Sequence, residues 1–166
     1  MPQPLDRDAL LAALRSDGDR VADVLAALPA DALERGAYEQ GWTVKDIAAH
    51  LASIEWTYPR LIRIAEAADQ GTESSSGNAS SRGSNPQMDD YNARQVAKRR
   101  ETPLPQLIEE FRSNRAALID AVEGTSAELL EREIQSFGGV RGSLLQVMWS
   151  VAVEHVRTHL DDLQSA

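Results

Sequence analysis

The sequence predicts an all-α fold, a four-helix bundle with one short extra helix. Apolar residues recur at spacings of three, four and seven in four long segments, which is the period of an amphipathic helix. We find no convincing strand and no internal repeat. Four such helices in a chain of 166 residues indicate a bundle that forms one domain over residues 1–166.

The first helix is expected from Asp6 to Leu28, with Asp6 as its N-cap. Gly18 weakens the middle of this helix. Pro29 and Gly36 mark the connection that follows. The apolar stripe consists of Leu10, Leu14, Val21, Leu25 and Leu28.

The second helix is expected to begin at Thr43 and to continue to about Ala68. Thr43 and Asp46 resemble a capping box, with Asp in place of the usual Glu. His50 lies on the apolar stripe of this helix. That stripe is formed by Val44, Ile47, Leu51, Ile54, Tyr58, Leu61 and Ala65.

A Gly/Ser-rich segment, GTESSSGNASSRGSN, occupies residues 71–85. Such low-complexity sequence has little apolar surface to bury, so we expect a flexible loop. It lies where a lid could cover a substrate pocket. A simple linker is the interpretation that we favour.

A short helix is expected from Gln87 to Arg100, and the next long helix from Leu104 to Val122. Thr102 and Pro103 would supply the N-cap and N1 residues of the long helix. Gly124 is expected to end it. Its inward residues are Leu107, Phe111, Leu118 and Val122.

The last helix is expected to follow a connection at Ser126–Arg141. Ser143 and Gln146 form a second capping box at its start. Its apolar face, which His155 and His159 extend, consists of Leu144, Val147, Met148, Val151 and Ala152.

The formal net charge of -9 argues against nucleic acid as a partner, because phosphate binding depends on Lys and Arg. One basic run, Lys98–Arg100, is offset by acidic neighbours and is interpreted as a solvated helix end. No signal peptide or membrane-spanning segment is visible, so we expect a soluble cytoplasmic protein. There is no cysteine, so any thiol in the chemistry must arrive on a substrate.

The three histidines are placed so that they could share a metal ion. His155 and His159 are four residues apart, so both project from one face of a helix. Two imidazoles at that spacing can bind one ion, and His50 also points inward. The alternative is that each is a hydrogen-bonded core histidine, and spacing alone leaves both interpretations open.

The pattern differs from that of a zinc protease, which needs Glu directly after the first histidine. Val156 occupies that place, and Glu154 points elsewhere on the helix. A metal on three nitrogen ligands would keep open positions for water, or for a thiolate or carbonyl of a substrate. The missing base would then come from solvent or substrate.

Three stretches carry a family resemblance. They are GWTVKDIAAHLASIEW at Gly41–Trp56, DDYNARQVAKRRETPLPQLIEEF at Asp89–Phe111 and EHVRTHLDDL at Glu154–Leu163. The first and last resemble the DinB-like superfamily, which includes mycothiol-dependent maleylpyruvate isomerases and YfiT-like metal-dependent hydrolases. The middle stretch is similar to its ClbS/DfsB-like subgroup.

The resemblance implies a bundle with a divalent metal, zinc or nickel, held by His50, His155 and His159. It implies a metal-dependent enzyme acting on a small molecule, either a hydrolase or a transferase or isomerase that uses a low-molecular-weight thiol. It also implies a homodimer. The alternatives are a non-catalytic metal-binding stress or ligand-binding protein, and a helical interaction module without metal.

Several aromatic and polar residues are secondary candidates. Trp56, Tyr91 and Asn92 are candidate substrate-pocket residues, although we favour a core position for Trp56 and a capping or structural role for Asn92. Trp42 is expected to act as a staple residue ahead of the second helix. Tyr58 or Tyr91 could serve as an acid near the metal, but the sequence names neither as catalytic.

Overall fold

The structure is a computed structural model that describes residues 4–36, 41–69 and 86–165. The loop predicted at residues 71–85 lies outside the described residues. The elements, in chain order, are α1 (Arg7–Ala27), a 3-10 turn (Ala30–Ala32), α2 (Val44–Glu55), α3 (Pro59–Asp69), α4 (Pro86–Lys98), α5 (Leu104–Glu123), α6 (Ala127–Leu130), β1 (Glu133–Gln135), β2 (Arg141–Ser143), α7 (Leu144–Trp149), a π-helical turn (Ser150–Glu154) and α8 (His155–Gln164).

The predicted all-α four-helix bundle is confirmed. Helix α5 packs against α1 and α2. The last helix, which runs through α7, the π-helical turn and α8, also packs against α1 and α2. The short helix α4 packs on α2. Among the described helices, none is long and apolar enough to cross a bilayer.

The buried apolar side chains form two clusters along the bundle. The first cluster joins the start of α1 to α3, the end of α5 and α7. The second cluster joins the end of α1 to α2, the start of α5 and α8. His50 is buried on the second cluster's side of the molecule, on the helix that supplies several of its members.

The helix starts follow the predicted capping signals. The side chain of Asp6 accepts a hydrogen bond from the first turn of α1 at 2.8 Å. Thr43 and Asp46 form the reciprocal capping box of α2, at 3.2 and 3.0 Å. Ser143 and Gln146 form the same arrangement at the start of α7, at 3.2 and 3.1 Å. Local sequence alone therefore defined these three helix starts.

The second predicted helix is two helices, and its expected continuation to Ala68 was wrong. Helix α2 ends at Glu55 and α3 begins at Pro59. Proline has no N–H to bond to a preceding turn, and its ring disfavours a helical conformation in the residue before it. The hydroxyl and the amide of Thr57 both donate to the carbonyl of Ile54, which closes the break.

The expectation that the chain has no strand was also wrong. Strands β1 and β2 form an antiparallel hairpin in which Ile134 pairs with Gly142. Each strand has three residues, too few for an alternating pattern to be visible. Gly139 in the connecting turn has a φ of 88°, a conformation that favours glycine.

The start of α5 differs from its prediction by one residue. Pro103, with extended backbone, occupies the N-cap position that we expected for Thr102, and no side chain caps the helix there. The second proline, Pro105, lies within the first turn, where a missing N–H leaves no helical bond unmade. Gly124 follows the last residue of α5, as predicted.

The last helix contains a π-helical turn that the sequence did not reveal. The amide of His155 donates to the carbonyl of Ser150, five residues back. One extra residue in a turn rotates the rest of the helix by about 100° relative to its start. The buried positions of the last helix are therefore shifted by one residue after the turn. His155 and His159 are partly buried at the edge of this apolar stripe instead of within it. The buried residues after the turn begins are Ala152, Val153, Val156, Leu160 and Leu163.

Candidate metal centre

The three histidines meet where α2 faces α8. The Nε2 atom of His155 lies 3.4 Å from Nε2 of His50 and 3.0 Å from Nε2 of His159. One ring nitrogen from each residue can be chosen so that all three lie within 4.8 Å of one another. The rings are steeply inclined, with interplanar angles of 74° to 80°, so they present edges rather than faces to a common point.

These distances suit a shared metal ion. Metal–nitrogen bonds of about 2.0–2.1 Å place two ligand nitrogens roughly 3.0–3.4 Å apart in right-angled or tetrahedral arrangements. The two Nε2 separations at His155 fall in this range. The donor set is nitrogen only, which suits zinc or nickel.

The outward-facing ring nitrogens indicate which tautomers are present. The carbonyl of Val151 acts as a hydrogen-bond acceptor that raises the pKa of His155, which favours a proton on Nδ1 and a bare lone pair on Nε2. Nδ1 of His159 lies 3.5 Å from a carboxylate oxygen of Asp162, which favours the same tautomer. Two lone pairs that face each other at 3.0 Å repel unless a cation or proton lies between them.

Burial holds His50 and His155 in their neutral form. Burial, together with neighbouring His155 and His159, lowers the pKa of His50 well below its usual value. Burial and the nearby His159 lower the pKa of His155 to about 4. Neutral imidazole is the form that binds metal, so these two rings carry the required lone pairs at neutral pH.

Two aromatic side chains surround the histidine cluster. The Trp42 ring lies 4.9 Å from the His50 ring and packs on the second apolar cluster, which includes Ile47 of the first turns of α2. The hydroxyl of Tyr58 is buried and lies 3.4 Å from Nδ1 of His155. Of the two tyrosines named from the sequence as candidate acids, Tyr58 contacts the cluster.

One carboxylate that contacts the cluster is that of Asp162, at Nδ1 of His159. Glu154 is exposed, and Val156 is buried in the core. Glu55 is fully buried, but it accepts a hydrogen bond from Arg115 at 2.5 Å. Burial raises the pKa of Glu55 to about 7, against the attraction of Arg115.

The buried pair of Glu55 and Arg115 was missed at the sequence level. A signal for it exists, because Arg115 occupies a position of the apolar stripe of α5, four residues after Phe111 and three before Leu118. A charged residue at such a position is buried only when it is paired.

Two of the three candidate pocket residues line one cleft. This cleft has a volume of about 360 Å³ and lies between α2, α4 and α5, and none of the three histidines is among its lining residues. Trp56 and Tyr91 are on its wall, but Asn92 is not. The lining consists of Ser53, Trp56, Tyr91, Gln95, Arg99, Glu110 and Asn114.

The favoured core position of Trp56 and the capping role of Asn92 were wrong. Trp56 is 53 % exposed, because the chain turns away from the core after Glu55, and the guanidinium of Arg60 lies 3.9 Å from its ring centroid. Asn92 is the seventh residue of α4, so it cannot be the N-cap of that helix.

Comparison with solved structures shows the same fold in characterised proteins. The crystal structure of the mycothiol-dependent maleylpyruvate isomerase matches with a TM-score of 0.68 and 18 % identity, over 97 % of this chain and 61 % of that chain. A histidine-to-alanine mutant of the isomerase matches equally well. The present chain therefore spans less than two thirds of the isomerase.

The colibactin self-resistance protein ClbS, solved in complex with a dsDNA, matches with a TM-score of 0.62 and 12 % identity, over 97 % of this chain and 96 % of that chain. No curated protein sequence matches the chain significantly. Identities this low show the fold and no more.

The family model described as the mycothiol maleylpyruvate isomerase N-terminal domain matches residues 14–164. This range includes all three histidines and extends from within α1 to the last residue of α8. The chain therefore belongs to the family of the mycothiol maleylpyruvate isomerase N-terminal domain, within the DinB/YfiT-like superfamily.

Proposed function

We propose that this protein is a metal-dependent enzyme in which His50, His155 and His159 hold one divalent ion, zinc or nickel. One observation carries the proposal. Nε2 atoms from two separate helices converge to 3.0 and 3.4 Å, and the Val151 carbonyl favours the tautomer of His155 whose lone pair faces the other two rings. A cation between the rings would remove the repulsion between lone pairs and satisfy them together.

Such an ion supplies Lewis acidity and open coordination positions for a water, a thiolate or a carbonyl of a small molecule. The chain itself contributes neutral imidazoles, a fixed ring orientation at His155, and the apolar wall formed by Trp42. We expect no general base from the chain, since Glu154 is exposed, Glu55 is engaged by Arg115, and Asp162 faces Nδ1 of His159, the ring nitrogen that points away from the other histidines. Solvent or the substrate would therefore accept the proton.

The metal assignment is tested by elemental analysis of protein purified without a metal-affinity tag. We expect about one zinc or nickel ion per chain in the wild type. His155→Ala and His159→Ala should each lose most of it, because each removes a ligand. Thr158→Ala is the matched control on the exposed face of the same helix. Equal metal content in all four proteins would refute the assignment.

Among the possible reactions, a thiol-dependent transfer or isomerisation is supported by the family to which the chain belongs. It rests on the isomerase's name, and the chain spans only part of that protein. The absence of cysteine permits a clear test, because any thiolate ligand must then come from an added thiol.

The test uses the cobalt(II)-substituted protein, titrated separately with mycothiol, bacillithiol and glutathione. A thiolate-to-cobalt charge-transfer band that saturates with one of them would support the thiol-dependent version. The alcohol analogue of the same compound is the control and should give no such band. If no thiol produces the band, hydrolysis becomes the better version of the proposal.

A non-catalytic metal-binding stress or ligand-binding protein is the second candidate. The observation that favours it is that the cleft at Trp56 and Tyr91 is not lined by the histidines. Its metal would have a closed coordination sphere. Azide added to the cobalt protein should then leave the visible spectrum unchanged, whereas an open catalytic site should respond.

The remaining proposals concern substrate contact and assembly. We propose that Trp56 and Tyr91 contact part of the substrate in the cleft, so that Trp56→Ala should raise KM more than it lowers kcat.

We also propose a homodimer, which sedimentation equilibrium would detect. A strictly monomeric mass over the accessible concentration range would contradict it.

A further inference from the structure

Arg115 and Glu55 form an ion pair in the middle of the bundle. Along α5, Arg115 lies between Phe111 of the second apolar cluster and Leu118 of the first. It is 3 % exposed, and Glu55 is fully buried. A pair of charges at this depth is costly to bury, so its presence calls for a structural explanation.

The guanidinium of Arg115 does more than neutralise Glu55. Both Nη1 and Nη2 donate to the carbonyl of Ala152, each at 3.3 Å, and Nη1 also donates to the carbonyl of Leu14 at 3.5 Å. Ala152 is the middle residue of the π-helical turn. A single side chain of α5 thus contacts α1, α2 and the one irregular point of the last helix.

Helix α1 accommodates this side chain through a glycine. A Cβ atom at Gly18 would lie 3.0 Å from Cγ of Arg115, closer than almost all real contacts of this kind. Gly18 is buried and helical, where glycine costs about 1 kcal/mol relative to alanine. The space that Arg115 needs explains a residue that otherwise weakens α1.

The π-helical turn determines which way the two histidines of α8 point. In an uninterrupted α-helix, His155 and His159 would continue the buried face of Leu144 and Met148, because the spacings of seven and eleven residues bring them back to that face. The extra residue in the turn rotates them by about 100° to the edge of the core. At that edge they meet His50.

We propose that Arg115 is a positioning residue for the histidine cluster. By holding the carbonyl of Ala152, it maintains the π-helical turn and with it the orientation of His155 and His159 toward His50. Glu55 supports this role by fixing the guanidinium. The inference rests on the proposed function in that the cluster it positions is the metal site.

The experiment removes the contacts of Arg115 without leaving an unpaired buried charge. The double variant Glu55→Met/Arg115→Met replaces the pair by apolar side chains, a change that buried pairs commonly tolerate. Arg115→Lys is a second variant that keeps the charge, but one ammonium group cannot reproduce the planar fork. Leu118→Ala, on the same helix, is the control for a general loss of packing.

Two measurements are made on each protein. In the metal-free state, nuclear Overhauser effects between the rings of His50 and His155 report their proximity. In the cobalt-loaded state, the Kd and the visible spectrum report the ligand geometry. We expect the double variant to lose the ring contacts, to raise the Kd for cobalt about tenfold or more, and to change the spectrum. Arg115→Lys should show a smaller change of the same kind.

Ring contacts and cobalt spectra that stay unchanged in both Arg115 variants would overturn the proposal. An equal rise in Kd for Leu118→Ala would also overturn it, because the effect would then reflect packing in general. If the wild type binds no cobalt but the Arg115 variants still lose the ring contacts, the positioning role stands and the proposed metal function fails. The two ideas are therefore separable.

Discussion

At the scale of single residues, the position of His155 is the most constrained in the candidate site. Its Nε2 faces the other two rings, and its Nδ1 faces the Val151 carbonyl and the Tyr58 hydroxyl. Sequence spacing predicted that His155 and His159 share a face. It could not predict which ring nitrogen carries the proton, because that depends on contacts with the Val151 carbonyl and the Tyr58 hydroxyl.

The lowered pKa of His155 predicts how the stability of the metal-free protein depends on pH. Its folded pKa of about 4 is below the usual 6.5, so the unfolded state binds the proton more readily. The contribution of neutral His155 to the free energy of unfolding is therefore fully present above pH 6.5 and is lost as the pH falls toward 4. The difference between these two pKa values corresponds to a contribution of about 3 kcal/mol to the free energy of unfolding.

Urea unfolding between pH 4 and pH 7, with a chelator present, measures this dependence. His155→Gln lacks the titrating ring, so its free energy of unfolding should fall less steeply over the same range. An identical slope in the wild type and in His155→Gln would show that His155 does not control the acid response.

Metal binding should raise the stability of the wild type through the same three side chains. An ion at 100 times its Kd adds about 2.7 kcal/mol to the free energy of unfolding when only the folded state binds it. Thermal unfolding with zinc and with a chelator would show the difference as a shift in Tm. His159→Ala should lose most of the shift, and Thr158→Ala should keep it. A shift of the same size in His159→Ala would exclude His159 as a ligand.

At the scale of the elements, the start of α2 connects a local signal to the site. The capping box of Thr43 and Asp46 satisfies two amides at the beginning of the helix that carries His50. Thr43→Ala should lower the free energy of unfolding by about 1 kcal/mol. Thr158→Ala, at an exposed position inside α8, should be neutral or slightly stabilising, because alanine is the better helix former.

Chemical denaturation of both variants at one pH gives the comparison. If Thr158→Ala lowers the free energy of unfolding as much as Thr43→Ala does, then the N-cap of α2 contributes no stability of its own.

The elements that sequence predicted well are those with local causes. The capping residues Asp6, Thr43 and Ser143 act within one turn, and the apolar stripes repeat with the helical period. The π-helical turn was not predictable in this way, because the contacts that hold it come from Arg115 on another helix. The hairpin was missed because three-residue strands carry no period.

At the scale of the whole molecule, Arg115 and Glu55 form a buried ion pair in the middle of the bundle. Arg115→Met alone should destabilise the protein by about 3–5 kcal/mol, because it leaves a buried carboxylate without its partner. Arg15→Met, which breaks an exposed pair with Glu123, should cost less than about 1 kcal/mol. Denaturant unfolding at pH 8, above the raised pKa of Glu55, measures both.

The double variant Glu55→Met/Arg115→Met should recover much of the stability that Arg115→Met loses, since it removes both charges. A double variant that is as unstable as the single one would mean that packing around the pair, rather than the unpaired charge, sets the cost.

The charge of the whole chain predicts how it behaves toward DNA. ClbS shares the fold and was solved with a dsDNA, so the fold itself does not exclude such a partner. This chain, however, carries a net charge of -9, and in its basic run Arg99 is already bound by Glu110 at 2.6 Å. Lys98 and Arg100 are exposed there, and two cations release too few counterions to offset the overall repulsion.

We therefore expect no saturable binding to a DNA duplex at physiological salt below about 10⁻⁴ M, as measured by fluorescence anisotropy. Lys98→Glu/Arg100→Glu is the matched variant. Saturable binding near or below about 10⁻⁶ M in the wild type, lost in this variant and weakened by salt, would contradict the expectation. It would also show that the end of α4 is a nucleic-acid contact, because net charge would then matter less than the local arrangement of two side chains.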